Sequence, residues 1–564
     1  MIFANLSYSR RQHLGTCLGL ALASMILVGS LTIGDSVRAT LSYKAKERIG
    51  LVTHVFLSGH GYFHSDLADR VLKTEGFDSD IKVAPVLMTM GTLSSPDGKT
   101  HASGITVLGI DQRFFDFSRD SLPLPDLITA GYWASPDLAA ELETEVGDRL
   151  VLRVEEPSLF SRDAPLSGER DARFVSWNRP YLGELSHGAM GNFSLRASME
   201  PVRTIFVPLS MIQEDMFVSF SADGERTDFT NLLLVGAGEK PIDPMMDAME
   251  RCWTLADAGL QIKKLRSPNA WNLRSRSVFL SDRVVHTARQ INPTLQGELT
   301  YLVNSIGRPE GREDTNSSLI PYSMVTGVEL HPDGILGPDW EDTKIALNQW
   351  AAKDQNLSVG DRISLEYYVV GERRELIEKK RYFEVGKILP MPEKIPPGEE
   401  SDWTPRFPGL SDAENCGEWD TGIPIKHKIR PKDETYWDEY RGSPKAFLSL
   451  QAAQEMWGTR WGNLTGLRIN GEKKAEDLNQ QLLNNLSPSN FGIQRLDLMK
   501  DAEAAISGPV DFSQLFLSFG LFVVLAGLSL SALLFGFSLE QRNRQVGMLL
   551  SLGYTPGRVN LIIS

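Results

Sequence analysis

One segment constrains this sequence more than any other: Phe512–Leu539 runs for 28 residues without a charged side chain. A helix of about 20 apolar residues already crosses the hydrocarbon core of a bilayer. A buried helix in a soluble protein does not need such length, and no proline interrupts the run. We therefore predict a transmembrane helix at residues 512–539. Its small residues, Gly520 and Gly527 among them, suit close packing against another helix.

A second apolar segment, Leu14–Gly34, lies near the start of the chain and contains 21 uncharged residues. A cleaved signal peptide is the alternative, with an apolar core of about 7–15 residues and a small-residue cleavage site after it. This run is longer, and it is followed by Asp35-Ser36-Val37-Arg38, which lacks such a site. We therefore favour an uncleaved transmembrane helix at residues 14–34.

The flanking charges predict the orientation of both helices. Arg10 and Arg11 precede the first span, and Arg542 and Arg544 follow the second. Basic residues favour the cytoplasmic side, although further basic residues at 38–48 weaken this inference for the first span. Residues 1–13 and 540–564 are then predicted to be cytoplasmic, and roughly residues 36–510 to lie outside the cytoplasm.

The large outer region contains short matches that recur in the same order, which indicates a tandem repeat. The separations run from 213 to 241 residues, and four ordered matches at similar spacing are improbable by chance. We predict a duplicated region with repeats at 35–265 and 266–510. The matched segments are 55–58 with 278–281, 107–111 with 325–329, 146–149 with 359–362, and 206–209 with 447–450.

Each repeat mixes the patterns of strands and helices, so the predicted fold class is α+β with antiparallel sheets. A Gly-Asp turn precedes alternating apolar residues at 150–154 and again at 363–367. Helices are predicted at 65–75, 241–260 and 282–290. Residues 36–49 and 495–506 are predicted to extend the two spans as helices, with a break at Gly508-Pro509, and 390–432 to form a long loop.

Composition excludes some functional classes. The net charge of -14 argues against a general nucleic-acid-binding protein, which needs a basic surface. Of the three cysteines, Cys17 lies in an apolar segment, so only Cys252 and Cys416 are candidates for a disulfide. Free thiols remain the favoured interpretation of that pair, because no disulfide scaffold is indicated.

Catalytic motifs give no support for an enzyme. Gly98-Lys99-Thr100 lacks the glycine that a phosphate-binding loop places five residues earlier, and Asp97-Gly98 instead predicts a hairpin turn. His60 and His64 have a spacing compatible with a metal on a helix, but Gly61-Tyr62-Phe63 between them does not resemble a helix interior. We predict no catalytic residue, no metal and no cofactor.

The segment after the second span carries the sharpest resemblance to a known family. It reads Arg544-Gln545-Val546-Gly547-Met548-Leu549-Leu550-Ser551-Leu552-Gly553 and continues to Val559. Together with Gly34–Arg38 and the two Val-Gly-Asp-Arg turns, it resembles the MacB/FtsX-type ABC transporter permeases. That family has a similar segment after its second span, with a glutamate where Gln545 stands here. The pattern itself predicts an amphipathic helix that ends at Gly553.

The resemblance implies a permease subunit in the bacterial inner membrane with a large periplasmic domain. It implies a cytoplasmic ABC ATPase, a second permease copy and the lipid bilayer as partners, and no nucleic acid. The family has four spans, so we expect this chain to be truncated. The alternative is a membrane-tethered extracytoplasmic sensor or binding protein. The residues that the resemblance assigns to ATPase coupling are Arg542, Arg544, Val546, Gly547, Leu549, Leu550 and Gly553.

Overall fold

A computed structural model describes most of the chain in two compact units. The helical unit is drawn from Met1–Gly50, Asn192–Glu200 and Asp497–Ser564, and the sheet unit from Leu51–Gly191 and Pro201–Leu496. The described residues are 10–59, 61–98, 100–119, 131–157, 174–196, 200–217, 228–238, 240–309, 319–371, 375–396, 399–407, 409–411, 413–419, 423–506 and 512–563.

The described residues form a mixed α+β fold. The helices are α1 (Arg10–Ile49), α2 (Leu67–Leu72), α3 (Pro136–Leu142), α4 (Leu209–Met216), α5 (Asp243–Cys252), α6 (Asp282–Ile291), α7 (Gln349–Asp354), α8 (Pro431–Tyr440), α9 (Leu450–Trp457), α10 (Glu472–Asn485), α11 (Leu498–Ile506), α12 (Phe512–Gln541), α13 (Asn543–Ser551) and α14 (Pro556–Ile563). The strands are β1 (His54–Ser58), β2 (Phe63–His64), β3 (Lys82–Ser94), β4 (His101–Ile110), β5 (Tyr132–Ala134), β6 (Arg149–Glu155), β7 (Phe174–Glu184), β8 (Thr204–Pro208), β9 (Phe229–Thr230), β10 (Leu232–Gly236), β11 (Leu260–Lys264), β12 (Ala270–Ser275), β13 (Gln296–Gly307), β14 (Ile320–Val328), β15 (Lys344–Asn348), β16 (Arg362–Val370), β17 (Leu376–Leu389), β18 (Ala446–Ser449), β19 (Gly466–Asn470) and β20 (Ile493–Asp497).

The helical unit contains two helices that are long and apolar enough to cross a membrane, α1 and α12. At 1.5 Å per residue, the 40 residues of α1 span about 60 Å and the 30 residues of α12 about 45 Å. Both exceed the roughly 30 Å of a bilayer core. As predicted, α1 continues through residues 36–49 without a break.

Small residues bring α1 and α12 together. A Cβ atom added to Gly19 would lie 2.7 Å from Ser531 Oγ, and one added to Gly527 would lie 3.3 Å from Ala23 Cβ. Gly19 and Ala23 are four residues apart on one helix, as are Gly527 and Ser531 on the other, so each pair shares one helix face. This is the small-residue packing by which membrane helices approach closely without a hydrophobic driving force between them.

We expect Gly527→Leu to separate α1 from α12, because the added side chain has no room beside Ala23. The matched control is Gly536→Leu on the same helix, where no atom lies within 4 Å of an added Cβ. With Cys17 replaced by serine, cysteines introduced at Gly15 and Leu534 report the contact through disulfide formation, because a Cβ added to Gly15 would lie 3.5 Å from Leu534 Cδ1. Gly527→Leu should slow their cross-linking at least about tenfold, whereas equal rates in both variants would contradict this packing.

The sheet unit contains two nine-stranded sheets with matching strand orders. The first sheet runs β20-β1-β10-β3-β4-β8-β5-β7-β6, and the second runs β11-β12-β19-β13-β14-β18-β15-β17-β16. In the first sheet β3 also pairs with β6, and in the second β13 also pairs with β16. Each extra pairing closes six strands into a barrel and leaves three strands beside it.

Three of the four sequence matches occupy corresponding places in the two sheets. Residues 107–110 lie on β4 and 325–328 on β14, and each of these strands pairs in parallel with a strand that carries another matched segment, β8 or β18. Leu108 pairs with Phe206, and Thr326 pairs with Phe447. The fourth match is wrong: residues 55–58 lie on β1, whereas 278–281 follow β12 and lead into α6.

The two Val-Gly-Asp-Arg turns have the same hydrogen bonds. Gly147 N donates to Tyr181 O, and Gly360 N donates to Val385 O, each at 2.8 Å. The following aspartate accepts from the backbone three residues earlier in both turns. Both glycines adopt positive φ, 101° and 93°, which explains why glycine precedes the aspartate at each turn.

Apolar side chains fill both barrels and one face of each adjoining three-stranded segment. In the first sheet that face packs against α2 and α5, and in the second against α6 and α10. On the opposite face of the three-stranded segment, the first sheet is apolar and the second sheet carries polar side chains. In the barrels, Leu87, Tyr132 and Phe229 belong to the first core, and Leu299, Tyr301 and Trp457 to the second.

Several sequence predictions need correction. The helix predicted at 241–260 covers only Asp243–Cys252, and β11 begins at Leu260. Residues 495–497 belong to β20 rather than to a helix, and α11 follows at Leu498. The predicted break at Gly508-Pro509 lies outside the described residues. The predicted long loop at 390–432 lacks strands in its described part, but it ends in α8 from Pro431 onward. Cys252 and Cys416 are free thiols.

Candidate functional site in the C-terminal segment

The segment predicted to couple to an ATPase forms a short helix with a defined end. Arg542 precedes α13, and its carbonyl accepts from Val546 N at 2.9 Å. At the other end, Gly553 N donates to Leu550 O at 3.1 Å, and Tyr554 N donates to Leu549 O at 3.2 Å. With φ of 86° at Gly553, these two bonds make a Schellman motif, so the predicted glycine stop is confirmed.

The two sides of α13 differ in exposure. Val546 and Leu549 are half-buried, and α13 contacts α14, whose Val559 is buried. Met548 is 60% exposed, and Leu552, which caps the C-terminal end of the helix four residues later, is 68% exposed. No residue of α13 is buried, so its apolar side chains are not part of the described core.

The predicted coupling residues therefore divide into two groups. Arg544, Gly547, Leu550 and Gly553 are exposed, and an added Cβ at Gly547 would meet no atom within 4 Å. Arg542 is buried, at 5% exposed. Sequence reasoning missed Met548 and Leu552, which lie four and eight residues after Arg544 and are exposed. It also missed Tyr554, which is 38% exposed and follows the end of the helix at Gly553.

This arrangement has the features of a docking surface. The exposed surface combines Met548 and Leu552 with the cation Arg544, and a flexible thioether adapts to the shape of a partner. Apolar side chains exposed on one side of a short helix are the usual anchors for insertion into a hydrophobic groove or a membrane interface.

The other candidate sites from the sequence have structural explanations. Asp97-Gly98 forms part of the turn between the antiparallel strands β3 and β4, as predicted. Burial lowers the pKa of His64, whose ring packs on Phe229 with 4.8 Å between ring centroids. His60 and Lys99 lie outside the described residues. Within the described part of the chain, no group of three His, Cys, Asp or Glu side chains is placed to hold a metal ion.

Comparison with known proteins does not assign the chain to a family. No protein-family model matches it, and no curated protein matches it significantly.

Proposed function

We propose that this chain is the membrane-spanning permease subunit of an ABC transporter of the MacB/FtsX type. It would connect a cytoplasmic ATPase to a large periplasmic region for export, lipoprotein release or transmission of force. The observation that carries the proposal is α13, a short helix directly after a membrane-length helix, with Met548 and Leu552 exposed.

The two membrane-length helices support this proposal physically. Their lengths, their lack of charge over the apolar stretch and their small-residue contact suit a bilayer better than water. The flanking arginines favour a cytoplasmic C-terminal segment. The sheet unit would then lie in the periplasm, and the matching sheets would derive from a tandem duplication.

The proposed mechanism is mechanical. ATP-driven movement of the partner would push on the exposed surface of α13. Because α12 and α13 are separated only by Arg542, movement of the short helix would be passed to the span. The chain continues from β20 into α11, which gives a covalent path between the outer strands and the helices. No ATP chemistry is assigned to this chain.

The test is co-purification of the full chain with an ATPase from its native membranes in detergent. We expect an ABC ATPase, identified by mass spectrometry, and vanadate-sensitive ATP hydrolysis in the purified complex. Burying one methionine or leucine side chain contributes about 2 kcal/mol, so Met548→Asp combined with Leu552→Asp should reduce ATPase recovery by at least about 30-fold.

The matched control is Met90→Asp, because Met90 is 57% exposed but lies on β3 in the sheet unit. It should leave ATPase recovery unchanged. Membrane retention of the chain without any ATPase, or equal recovery with all variants, would overturn the permease proposal. That outcome favours the alternative of a membrane-tethered sensor or binding protein, with α13 acting as an interfacial anchor.

A further inference from the structure

The second sheet carries a buried polar surface where the first sheet is apolar. The pairings of β1, β10 and β3 correspond to those of β12, β19 and β13, so individual positions can be matched. The polar surface consists of Asn272, Arg274, Glu298, Thr300 and Arg468. The residues at the same five positions of the first sheet are Val55, Leu57, Val86, Met88 and Leu234.

Stability does not explain this polar surface. Asn272, Arg274 and Glu298 are each at most 3% exposed, and Arg468 is 9% exposed. Replacing buried ionic groups by apolar side chains of similar volume is often neutral or stabilising. The first sheet is an example of that apolar solution at the same positions, so the polar residues point to a binding role.

Several donors and acceptors of the polar surface lack a hydrogen-bond partner among the described residues. Arg468 Nε and Glu298 Oε2 are 3.7 Å apart, which is too far for a direct hydrogen bond. Five buried atoms have no hydrogen-bond partner among the described residues: Asn272 Oδ1, Arg274 Nε, Glu298 Oε2, Arg468 Nε and Arg468 Nη2. Buried donors and acceptors in this state require a further polar group or a water molecule.

A segment of the same chain, the strap (residues 399–404), covers this surface through its backbone. Arg274 Nη2 donates to Asp402 O at 2.6 Å, and Arg274 Nη1 donates to Thr404 O at 3.2 Å. Thr300 Oγ1 donates to Trp403 O at 2.6 Å. Bonds to main-chain carbonyls do not depend on side chains, so any extended peptide is able to accept them.

One side chain of the strap acts as an anchor. The indole of Trp403 lies over the guanidinium of Arg468 at 3.8 Å and meets the ring of Phe447 edge-on at 5.4 Å between centroids. Cation–π contact is strongest when the arginine is removed from water, as Arg468 is here. Together with the carbonyl bonds, this aromatic contact is the usual form of extended-peptide recognition.

Further polar bonds hold the strap to β11 and to the chain between β11 and β12. Asp402 accepts from Arg266 N at 2.8 Å and from Ser267 Oγ at 2.6 Å, and Lys263 pairs with Glu400 at 2.8 Å. The strap contains no helix or strand. A segment held by such contacts opens at lower free energy than the strands below it.

We propose that the polar surface of the second sheet is a peptide-binding site and that the strap is its intramolecular occupant. The ligand in trans is an extended peptide segment of a partner protein, with an aromatic residue over Arg468 and polar side chains that reach Glu298 and Asn272. This inference does not depend on the transporter proposal, because it uses only contacts within the sheet unit.

The probe is a fluorescein-labelled synthetic peptide with the sequence of residues 399–406, added to the full chain in detergent. The strap variant is Asp402→Ala with Trp403→Ala, which removes the aromatic anchor and the bonds that Asp402 accepts from Arg266 and Ser267. Because a tethered segment competes at an effective concentration in the millimolar range, the strap variant should bind the peptide at least about tenfold more tightly than the unmodified chain. Fluorescence anisotropy measures both affinities.

Arg274→Leu in the strap variant provides the specificity test, since Leu57 occupies the matching position of the first sheet. It should abolish saturable binding while the unfolding midpoint is kept. A second readout uses the unmodified chain, in which excess peptide should speed hydrogen exchange of the strap amides. Undiminished binding after Arg274→Leu would overturn the proposal, as would unchanged strap exchange under saturating peptide. Absence of binding to a folded strap variant would overturn it as well.

Discussion

Asp257→Asn should lower the free energy of unfolding of the sheet unit by about 3–5 kcal/mol, because it breaks a buried charged network. The side chain of Asp257 is 0% exposed. Its oxygens accept from Arg70 Nη2 at 2.8 and 2.9 Å, and also from Thr254 N and Thr254 Oγ1 at 2.9 and 2.7 Å. An asparagine there would direct an NH2 group at these donors and leave Arg70 without its buried counter-ion.

Asp66→Asn is the matched control for this prediction. Asp66 bonds the same Nη2 of Arg70 at 3.1 Å, but its side chain is 64% exposed. A surface ion pair contributes about 0–1 kcal/mol, so this variant should shift the urea midpoint of unfolding little. The two variants alter the net charge equally. Similar destabilisation by both would show that the burial of Asp257 does not have the effect assigned to it.

Gly327→Ala is expected to cost about 3 kcal/mol through overpacking. An added Cβ at Gly327 would lie 2.2 Å from Ala453 Cβ and 3.3 Å from Ser449 O, so α9 would have to move away from β14. Thermal unfolding of the purified chain measures the effect. Ala453→Gly in the same chain should restore most of the lost stability, because it removes the colliding atom.

The matching position in the first sheet provides a graded comparison. At Gly109 the nearest atom to an added Cβ is Ile212 Cγ2 at 2.8 Å. That side-chain methyl moves at lower cost than a helix backbone, so Gly109→Ala should destabilise by about 1–2 kcal/mol. A larger loss at Gly109 than at Gly327, or no rescue by Ala453→Gly, would contradict this account of close strand–helix packing.

Local signals in the sequence predicted much of the fold. A long uncharged run identifies α12, and Val-Gly-Asp-Arg identifies both barrel turns, because each pattern reflects chemistry within a few residues. The four-residue match at 55–58 and 278–281 failed for the same reason. A match of four residues carries no information about which strands pair. Residues 55–57 pair with 232–234 in the first sheet, whereas 278–281 lie outside the strands of the second.

Other features depend on contacts between distant parts of the chain. Residues 495–497 resemble a helix by composition, yet they form the edge strand β20 beside β1, more than 400 positions earlier in the sequence. The polar surface of the second sheet unites β12, β13 and β19 with residues 399–404, and no motif spans that distance. The polar surface is unusual only in comparison with the apolar residues at the same positions of the first sheet. That comparison requires the two sheets to be aligned.

The coupling segment was predicted in outline but not in detail. Its helix and its glycine end follow from the pattern of residues 544–553. Which side chains are exposed depends on tertiary packing, and Val546 and Leu549 are half-buried while Met548 is exposed. The test substitutions are therefore placed at the exposed Met548 and Leu552.

The most direct test of the account is the sidedness of two introduced cysteines, with Cys17, Cys252 and Cys416 replaced by alanine. Val146→Cys probes the sheet unit at a 71% exposed site, and Leu552→Cys probes α13 at a 68% exposed site. In intact spheroplasts, a membrane-impermeant maleimide should label the first cysteine, and it should label the second only after the membrane is permeabilised. Equal labelling of both before permeabilisation, or release of the chain from membranes by alkaline carbonate, would contradict a bilayer-spanning α12.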